Sequence, residues 1–298
     1  MIRFIDESEV RARLRMQDLI PAMERALADF SAGRAVQPIR QVLPVTGHGG
    51  FLGVMPARLG DGLGAKLVTF YPPNAARGLH THHALVVVFK VETGEPEAVM
   101  DGRLITEMRT AAVSAVATKL LSRPDAEVLA ILGSGVQARS HWEALRQVRS
   151  FREVRVWSRT PGHARRFADE IGARLADTAE RAASGSDVIV TATSATSPVL
   201  CGAWLGRGSH VNAVGACRPT WRELDDEAMR GSVVYVDSRE SALRESGDVI
   251  LSRAPIFAEL GEAVSGAKPA RPMETTVFKS LGMAVEDVAA ARLVLGGA

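Results

Sequence analysis

Cysteine is scarce in this 298-residue chain: there are two, Cys201 and Cys217, and no Cys-x-x-Cys pair. That spacing excludes a disulfide framework and a structural zinc site and suits a reducing compartment. Long apolar runs are missing too. No stretch approaches the ~18 residues needed to span a bilayer, so no membrane partner is expected. The opening Met1-Ile2-Arg3-Phe4-Ile5-Asp6 reaches an acid before an apolar signal core can form, from which a cytoplasmic protein is expected. Nor is there an excess of one charge: 36 Lys and Arg face 34 Asp and Glu. The arginines are dispersed, with no basic block to track a phosphate backbone, so nucleic acid is not an expected partner. Internal repeats and low-complexity tracts are also lacking. What remains, 46% hydrophobic and 23% charged, is the composition of an ordinary globular protein with room for two domains.

The hydrophobic rhythm changes along the chain. Residues 18–32 read as an amphipathic helix, with Leu19, Ile20, Met23, Leu27 and Phe30 on one face and Gly33 as the stop. Segments 51–56, 63–71, 83–91 and 95–100 are strand-like, the last two joined by the turn Glu92-Thr93-Gly94, and predict an antiparallel meander. Residues 104–121 form an Ala-rich helix whose Ala111, Ala112, Ala115 and Ala117 allow another backbone to come close. After Pro124, strands at 128–132, 154–157, 187–191, 209–214 and 233–237 alternate with helices such as 137–149 and 162–172. A further strand fits 275–278, and 283–295 is helical. Alternation of this length predicts an α/β fold with a doubly wound parallel sheet.

At the first strand of that series, Gly133-Ser134-Gly135-Val136-Gln137-Ala138 matches G-x-G-x-x-A between strand and helix. Gly133 permits the tight turn, Gly135 lets backbone amides approach a pyrophosphate, and the helix N-terminus favours anions. The next strand ends Trp157-Ser158-Arg159-Thr160. No carboxylate stands there to repel a 2′-phosphate, while a guanidinium and two hydroxyls can bind one, so NADP(H) is expected in preference to NAD(H).

The N-terminal half carries three isolated cations, Arg40, Lys66 and Arg109, in apolar or small-residue settings. Lys66 lies mid-strand between Ala65 and Leu67. Burying it without an anion is costly, so either a ligand carboxylate or an internal ion pair must accompany it.

Several stretches resemble the ornithine cyclodeaminase/mu-crystallin family over essentially the whole chain: Gly64-Ala-Lys66-Leu-Val, Gly78-Leu-His-Thr81-His82-His-Ala-Leu, the long run from Met100 through Arg109 to Ala115, Gly133-Ser-Gly-Val-Gln137-Ala, Asn212-Ala-Val-Gly215, and Phe278-Lys-Ser280-Leu-Gly-Met-Ala-Val-Glu-Asp287. The resemblance implies a discontinuous α+β substrate-binding and dimerisation domain, residues 1–119 completed by 283–298, and a Rossmann domain, 120–282. It implies a homodimer. It also implies that Arg40, Lys66 and Arg109 bind a substrate carboxylate, with Lys66 as orienting cation and candidate proton donor through water. Thr81, Arg109 and the glycine loop would meet the cofactor, with Val136 and Gln137 at the pyrophosphate. Ser158 falls where a NAD-using cyclodeaminase has its ribose-binding Asp. Thr193 and Val214 would edge the nicotinamide, and Ser280 and Leu281 the floor of the site. His82 is read either as a cofactor neighbour or as simple packing, and no metal is expected.

The chain departs from the cyclodeaminase pattern at Cys217, where those enzymes carry a proton-handling Asp. The surrounding Arg218-Pro-Thr-Trp-Arg-Glu223-Leu-Asp225-Asp is similar instead to the mu-crystallin branch, which is associated with NADPH-dependent reduction of cyclic ketimines. The expected activity is therefore reduction of Δ1-pyrroline-2-carboxylate or Δ1-piperideine-2-carboxylate to L-proline or L-pipecolate. An imine that arrives protonated needs a hydride but no base. The alternatives are an amino-acid or N-alkyl amino-acid dehydrogenase using Glu223 or Asp225 as base, a mu-crystallin-like small-ligand binder, and, last, an ornithine cyclodeaminase. Neutralising Arg109 is expected to abolish turnover and leave the fold intact.

Overall fold

Period-two alternation in the early part of the chain becomes a seven-stranded sheet in the computed structural model, which describes residues 1–296. Its strands are β1 (Arg3–Ile5), β2 (Ala35–Val36), β3 (Gln41–Val45), β4 (Gly50–Leu59), β5 (Gly62–Phe70), β6 (His82–Lys90) and β7 (Pro96–Asp101). They lie in the order β1-β7-β6-β5-β4-β2, with β3 also on β4. The antiparallel meander β4 to β7 is the one expected. Three strands are added: the two-residue β2 on β4 and, of greater length, β1, parallel to β7, and β3, antiparallel to β4. Three residues are too few to display a period, and β3 is mostly exposed, so neither announces itself in the sequence.

This sheet belongs to one of two units, Met1–Arg109 together with the chain from Gly282 on; Thr110–Leu281 form the other. The first division falls inside the helix Gly102–Leu121 rather than near its end at residue 119. Within the first unit the helix Met16–Ser31 buries Leu19, Ile20, Met23 and Leu27, while Phe30 is only half-buried. The C-terminal helix, Ala284–Leu295, packs on β4 and β5 and against Met16–Ser31. Its seat is cut by missing side chains. A Cβ on Gly62 would lie 2.7 Å from Val288 Cγ1, and one on Gly64 would lie 2.6 Å from Val87 O and 3.4 Å from Val288 Cγ2. Two glycines on one face of β5 thus form the slot that fixes Val288, and with it the register of the helix.

The second unit is an eight-stranded, wholly parallel sheet of β8 (Val128–Leu132), β9 (Glu153–Trp157), β10 (Arg174–Leu175), β11 (Val188–Thr191), β12 (His210–Ala213), β13 (Val233–Val236), β14 (Ile256–Glu259) and β15 (Thr276–Lys279). The order is β10-β9-β8-β11-β12-β15-β13-β14. Successive residues of β8 enter different cores: Leu129 and Ile131 join one, Ala130 and Leu132 the other. Both faces are covered, as the doubly wound reading requires. β15 inserts between β12 and β13 and is buried throughout, a central strand where the sequence suggested only one more. Within this unit, Ala111, Ala112, Ala115 and Ala117 are fully buried. Ser114 Oγ meets His141 Nε2 at 2.9 Å, and Asn212 Nδ2 donates to Thr118 Oγ1 at 2.9 Å.

Candidate active site

The sheet order reverses between β8 and β11, and such a switch point opens a crevice at the strands' carboxyl ends. Gly133 stands there with φ +137°, and a Cβ on it would lie 2.5 Å from Ala192 O at the end of β11. Only glycine satisfies both the conformation and the close approach. Gly133 N donates to Trp157 O at 2.8 Å, tying the loop to β9. Gly135 is the N-cap of the helix Val136–Leu145, and no side chain caps that end. Space is open where a Gly135 side chain would project. Val136 is exposed, and Gln137 Oε1 is a buried acceptor with no partner among the described residues. An uncapped helix N-terminus beside open space fits the pyrophosphate of a dinucleotide.

Ser158, at the end of β9, accepts from Ser134 Oγ at 3.0 Å, so the strand end and the glycine loop are joined. Arg159 and Thr160 are exposed, and among the described residues Arg159 makes no hydrogen bond or ion pair. Thr160 begins the helix Pro161–Ile171 without a side-chain cap. Beyond β11 and β12, Thr193 and Gly215, the neighbour of Val214, are held by a residue whose bonding the sequence did not show. Glu223 is fully buried and accepts from Thr191 Oγ1 (2.9 Å), Thr193 N and Oγ1 (2.7 Å each) and Gly215 N (2.6 Å). Burial pushes its carboxyl pKa up, opposed by the Lys279 ammonium and the Thr193 donors. Asp248 accepts from the amides of Glu223 and Leu224 and pairs with the equally buried Lys279 at 3.1 Å. Asp225 caps the helix Asp226–Arg230 through Ala228 N and also accepts from Gly202 N. Cys217 Sγ points to Val214 O at 3.4 Å. Ser280 Oγ is buried with no partner among the described residues, and Leu281 N donates to Asp237 Oδ2 at 2.5 Å.

In the first unit the structure brings Arg40, Lys66 and Arg109 together. Lys66 is 2% exposed, and its Nζ lies 2.7 Å from Asp287 Oδ2. Arg109 donates through Nε to Asp287 Oδ1 at 3.0 Å and through Nη1 to Glu286 Oε2 at 2.6 Å. Arg40 Nη2 donates to Gly282 O at 2.9 Å. Gly282, at φ +79°, leaves the room that the Arg109 guanidinium fills; a Cβ there would lie 2.5 Å from Nη1. The internal anion needed by a buried Lys66 is thus Asp287, from the C-terminal helix. Burial lowers the Lys66 pKa to about 8, aided by the charges of Arg109 and Arg40 and opposed by Asp287. Burial acts against ionised Asp287, but Lys66 and Arg109 prevail and hold it below the usual carboxylate range. His82 opens β6 beside this cluster, and burial with the nearby Lys66 and Arg109 charges depresses its pKa to about 3. Thr81 is half-buried one residue earlier, its carbonyl accepting from Tyr71 N at 2.7 Å.

Three positive side chains and two carboxylates thus share one cluster. Cations gathered in this way can bind an anion such as a carboxylate. The sequence missed Glu286 and Asp287 as partners, although two adjacent acids in the apolar run Ala284-Val-Glu-Asp-Val288 were the available signal.

Comparison with known proteins bears on both sites. The mouse (Mus musculus) ketimine reductase mu-crystallin is 55% identical, the match covering 98% of this chain and 96% of the mouse protein. The Thermococcus litoralis Δ1-pyrroline-2-carboxylate reductase, solved in complex with NADH and L-proline, superposes with a TM-score of 0.95 at 37% identity, covering 99% of this chain and 97% of that one. An archaeal alanine dehydrogenase dimer with bound NAD superposes with a TM-score of 0.93 at 33% identity, covering 99% and 95%. The family model for ornithine cyclodeaminase/mu-crystallin matches residues 3–297, and this chain belongs to that family.

Proposed function

We propose that this chain is an NAD(P)H-dependent ketimine reductase. Its substrate is a cyclic imine carboxylate, Δ1-pyrroline-2-carboxylate or Δ1-piperideine-2-carboxylate, reduced to L-proline or L-pipecolate with NADPH preferred over NADH. The observation that carries this reading is the convergence of Arg40, Lys66 and Arg109 on one short segment that holds Gly282, Glu286 and Asp287. It is supported by relatives named for ketimine reduction and by one solved with NADH and L-proline.

When bound, the reduced nicotinamide supplies the hydride. The chain's own residues bind and orient. Gly133, Gly135, Val136 and Gln137 would hold the pyrophosphate, Thr81, Thr193, Val214 and Ser280 the nicotinamide end, and Ser158, Arg159 and Thr160 the 2′-phosphate. The guanidinium of Arg159 and two hydroxyls, with no carboxylate among them, favour the phosphorylated nucleotide. Arg109 and Lys66 grip the substrate carboxylate and fix the face of the ring it presents, Arg40 adds charge, and Leu281 supplies apolar floor; positioning of this kind supplies much of a rate enhancement. Lys66, with its lowered pKa, also releases a proton more readily than an ordinary lysine.

We infer a homodimer, as in the related alanine dehydrogenase. The first unit offers a surface for it: Leu67 and Leu85, paired across β5 and β6, are exposed, as are Leu43 and Phe4 on strands of the same sheet. Two free thiols suit the reducing cytoplasm we propose for it. Among the described residues no helix is long and apolar enough to cross a membrane.

The test is the loss of absorbance at 340 nm when purified protein meets NADPH and each cyclic imine, with NADH at the same concentration in parallel. Turnover with NADPH exceeding that with NADH is expected. Tight NADPH binding with no turnover on either ring would replace the reductase with a binding protein, and faster turnover with NADH would overturn the cofactor preference.

A further inference from the structure

Thr193, Val214 and Ser280 follow β11, β12 and β15, and the three strand ends share one buried polar array. Glu223 stands at its head. Its Oε1 accepts from Thr193 N and Oγ1, and its Oε2 from Gly215 N and Thr191 Oγ1. One carboxylate oxygen thus holds the segment after β11 and the other the segment after β12. Asp248 Oδ1 accepts from the amides of Glu223 and Leu224, and its Oδ2 faces Lys279 Nζ, on the last residue of β15, at 3.1 Å. Glu223, Asp248 and Lys279 are all fully buried. Gly215 lets the first two segments approach as a larger residue would not: a Cβ there would lie 2.0 Å from Thr193 O and 2.5 Å from Glu223 Oε1.

We propose that Glu223 is the positioning residue for the nicotinamide half of the cofactor: its two oxygens lock the segments after β11 and β12 at the separation that aligns the ring for hydride transfer. This rests on the NAD(P)H-dependent reductase reading and adds which side chain aligns the hydride donor. The arrangement asks for a carboxylate. The hydroxyls of Thr191 and Thr193 can turn and accept, but the peptide N–H groups of Thr193 and Gly215 only donate. An amide at this position would set its NH2 against one of those two peptide donors, and the segment carrying that donor would lose its anchor. Glu223 acts through Thr193 and Gly215, while Asp248 and Lys279 tie its own backbone to the end of β15, next to Ser280. The adenosine half of the dinucleotide would meet other residues, around Gly133 and Ser158, so a fault at Glu223 is confined to one end of the cofactor.

The experiment compares full-length wild-type protein with Glu223→Gln in titrations with NADPH and with 2′,5′-ADP, the fragment that keeps the phosphorylated adenosine and lacks the nicotinamide. NADPH affinity should fall by about tenfold or more, while 2′,5′-ADP affinity stays within about twofold. The fluorescence of bound NADPH, which reports the surroundings of the nicotinamide, should move toward that of the free cofactor. With a cyclic imine present, kcat should fall by about 100-fold, and the isotope effect on kcat from NADPH deuterated at the transferred hydrogen should rise. Glu223→Asp keeps both acceptor oxygens on a shorter stem and should fall between the two.

A Gln variant with wild-type affinity and wild-type emission overturns the proposal. Equal loss of NADPH and 2′,5′-ADP binding also overturns it and leaves Glu223 a merely structural residue. Where Glu223→Gln fails to fold, Glu223→Asp decides by the same pair of ligands: a loss confined to NADPH supports the role, and a loss of both, or of neither, removes it. The binding readouts need no imine. A loss confined to NADPH in a protein that reduces no imine retains the role of Glu223 and removes the ketimine-reductase reading. Imine reduction by the wild type with an unselective loss in the variant removes the role of Glu223 alone.

Discussion

Arg109→Met is the perturbation whose outcome the structure changes most. Read from sequence, a neutral side chain at 109 should stop turnover and spare the fold. In the structure Arg109 is 4% exposed and spans Glu286 at 2.6 Å and Asp287 at 3.0 Å, both fully buried. Removing the guanidinium leaves two buried carboxylates facing a reduced positive charge. Removing one partner of a buried ion pair costs about 3–5 kcal/mol, a large share of the roughly 5–15 kcal/mol by which domains are stable. At about 2–4 °C per kcal/mol for domains of this size, the midpoint of thermal unfolding should fall by roughly 6–20 °C. The compensating variant is Arg109→Met with Glu286→Gln, which removes one stranded charge and keeps an acceptor for the amide of Met283. It should recover a substantial part of the lost midpoint. Turnover should not return, because the grip on the substrate carboxylate is still gone: a loss of about 2–5 kcal/mol corresponds to roughly 30- to 5,000-fold in kcat/KM. Thermal unfolding followed by circular dichroism, beside NADPH oxidation at 340 nm, reads both quantities. A double variant with wild-type turnover would refute the role of Arg109 in binding, and a single variant with an unmoved midpoint would refute the electrostatic account of the cluster.

Two further outcomes follow from the other unit. Ser158→Asp places a carboxylate at the end of β9, where Ser158 now pairs with Ser134 at 3.0 Å; kcat/KM with NADPH should fall by about 100-fold and NADH should become the better donor, and an unchanged preference would show that the 2′-phosphate is read elsewhere. His141 and His210 are fully buried, with pKa values lowered by burial to about 4 and about 3, against about 6.5 in the unfolded chain. The unfolded chain therefore binds more protons below pH 6.5, so their contribution is complete above that pH and is lost as pH falls toward 4 and then 3. Between pH 6.5 and 5 the two together should remove about 3 kcal/mol, visible as a lower urea midpoint, and a midpoint flat across that window would contradict the assignment.

What the sequence disclosed and what it hid divide along a physical line. β8, the loop at Gly133 and Gly135, the helix after it and the end of β9 at Ser158 were legible because strand, turn and cap are local and their requirements sit in adjacent residues. Lys66 and Arg109 were legible as cations in the wrong surroundings, but not their partners. Arg109 meets Glu286 and Asp287 across 177 and 178 residues of chain, and no periodicity carries information over that distance. Glu223 was read only as an alternative base, and its bonding stayed hidden for the same reason: its donors at Thr191 and Thr193 lie about thirty residues away and become its neighbours only when β11 and β12 pair. β10 has two residues and β1 three, too few to display alternation at all. Nothing in the sequence marks Gly62 and Gly64 as a pair, and only the seated Val288 shows them to be a shaped surface.

The hydrogen bonds around Cys217 also bear on proton transfer in the reaction. Drawing a proton from an amino acid's ammonium, as oxidation requires, takes a base with an unoccupied lone pair. In the second unit the acids around Cys217 are committed. Glu223 carries four donors, Asp225 caps a helix and holds Gly202, and Asp248 binds two amides and Lys279. Moving any one of them to a substrate would break bonds that now tie the loop from Val214 to Asp225 to its neighbours. Adding hydride to an imine that is already protonated asks nothing of these groups beyond keeping the loop in place. With cysteine at position 217 and these carboxylates committed, the loop offers no free acid among the described residues, so Cys217→Asp, which would place one there, is expected to raise the oxidation of L-proline, read as NADPH formation at 340 nm.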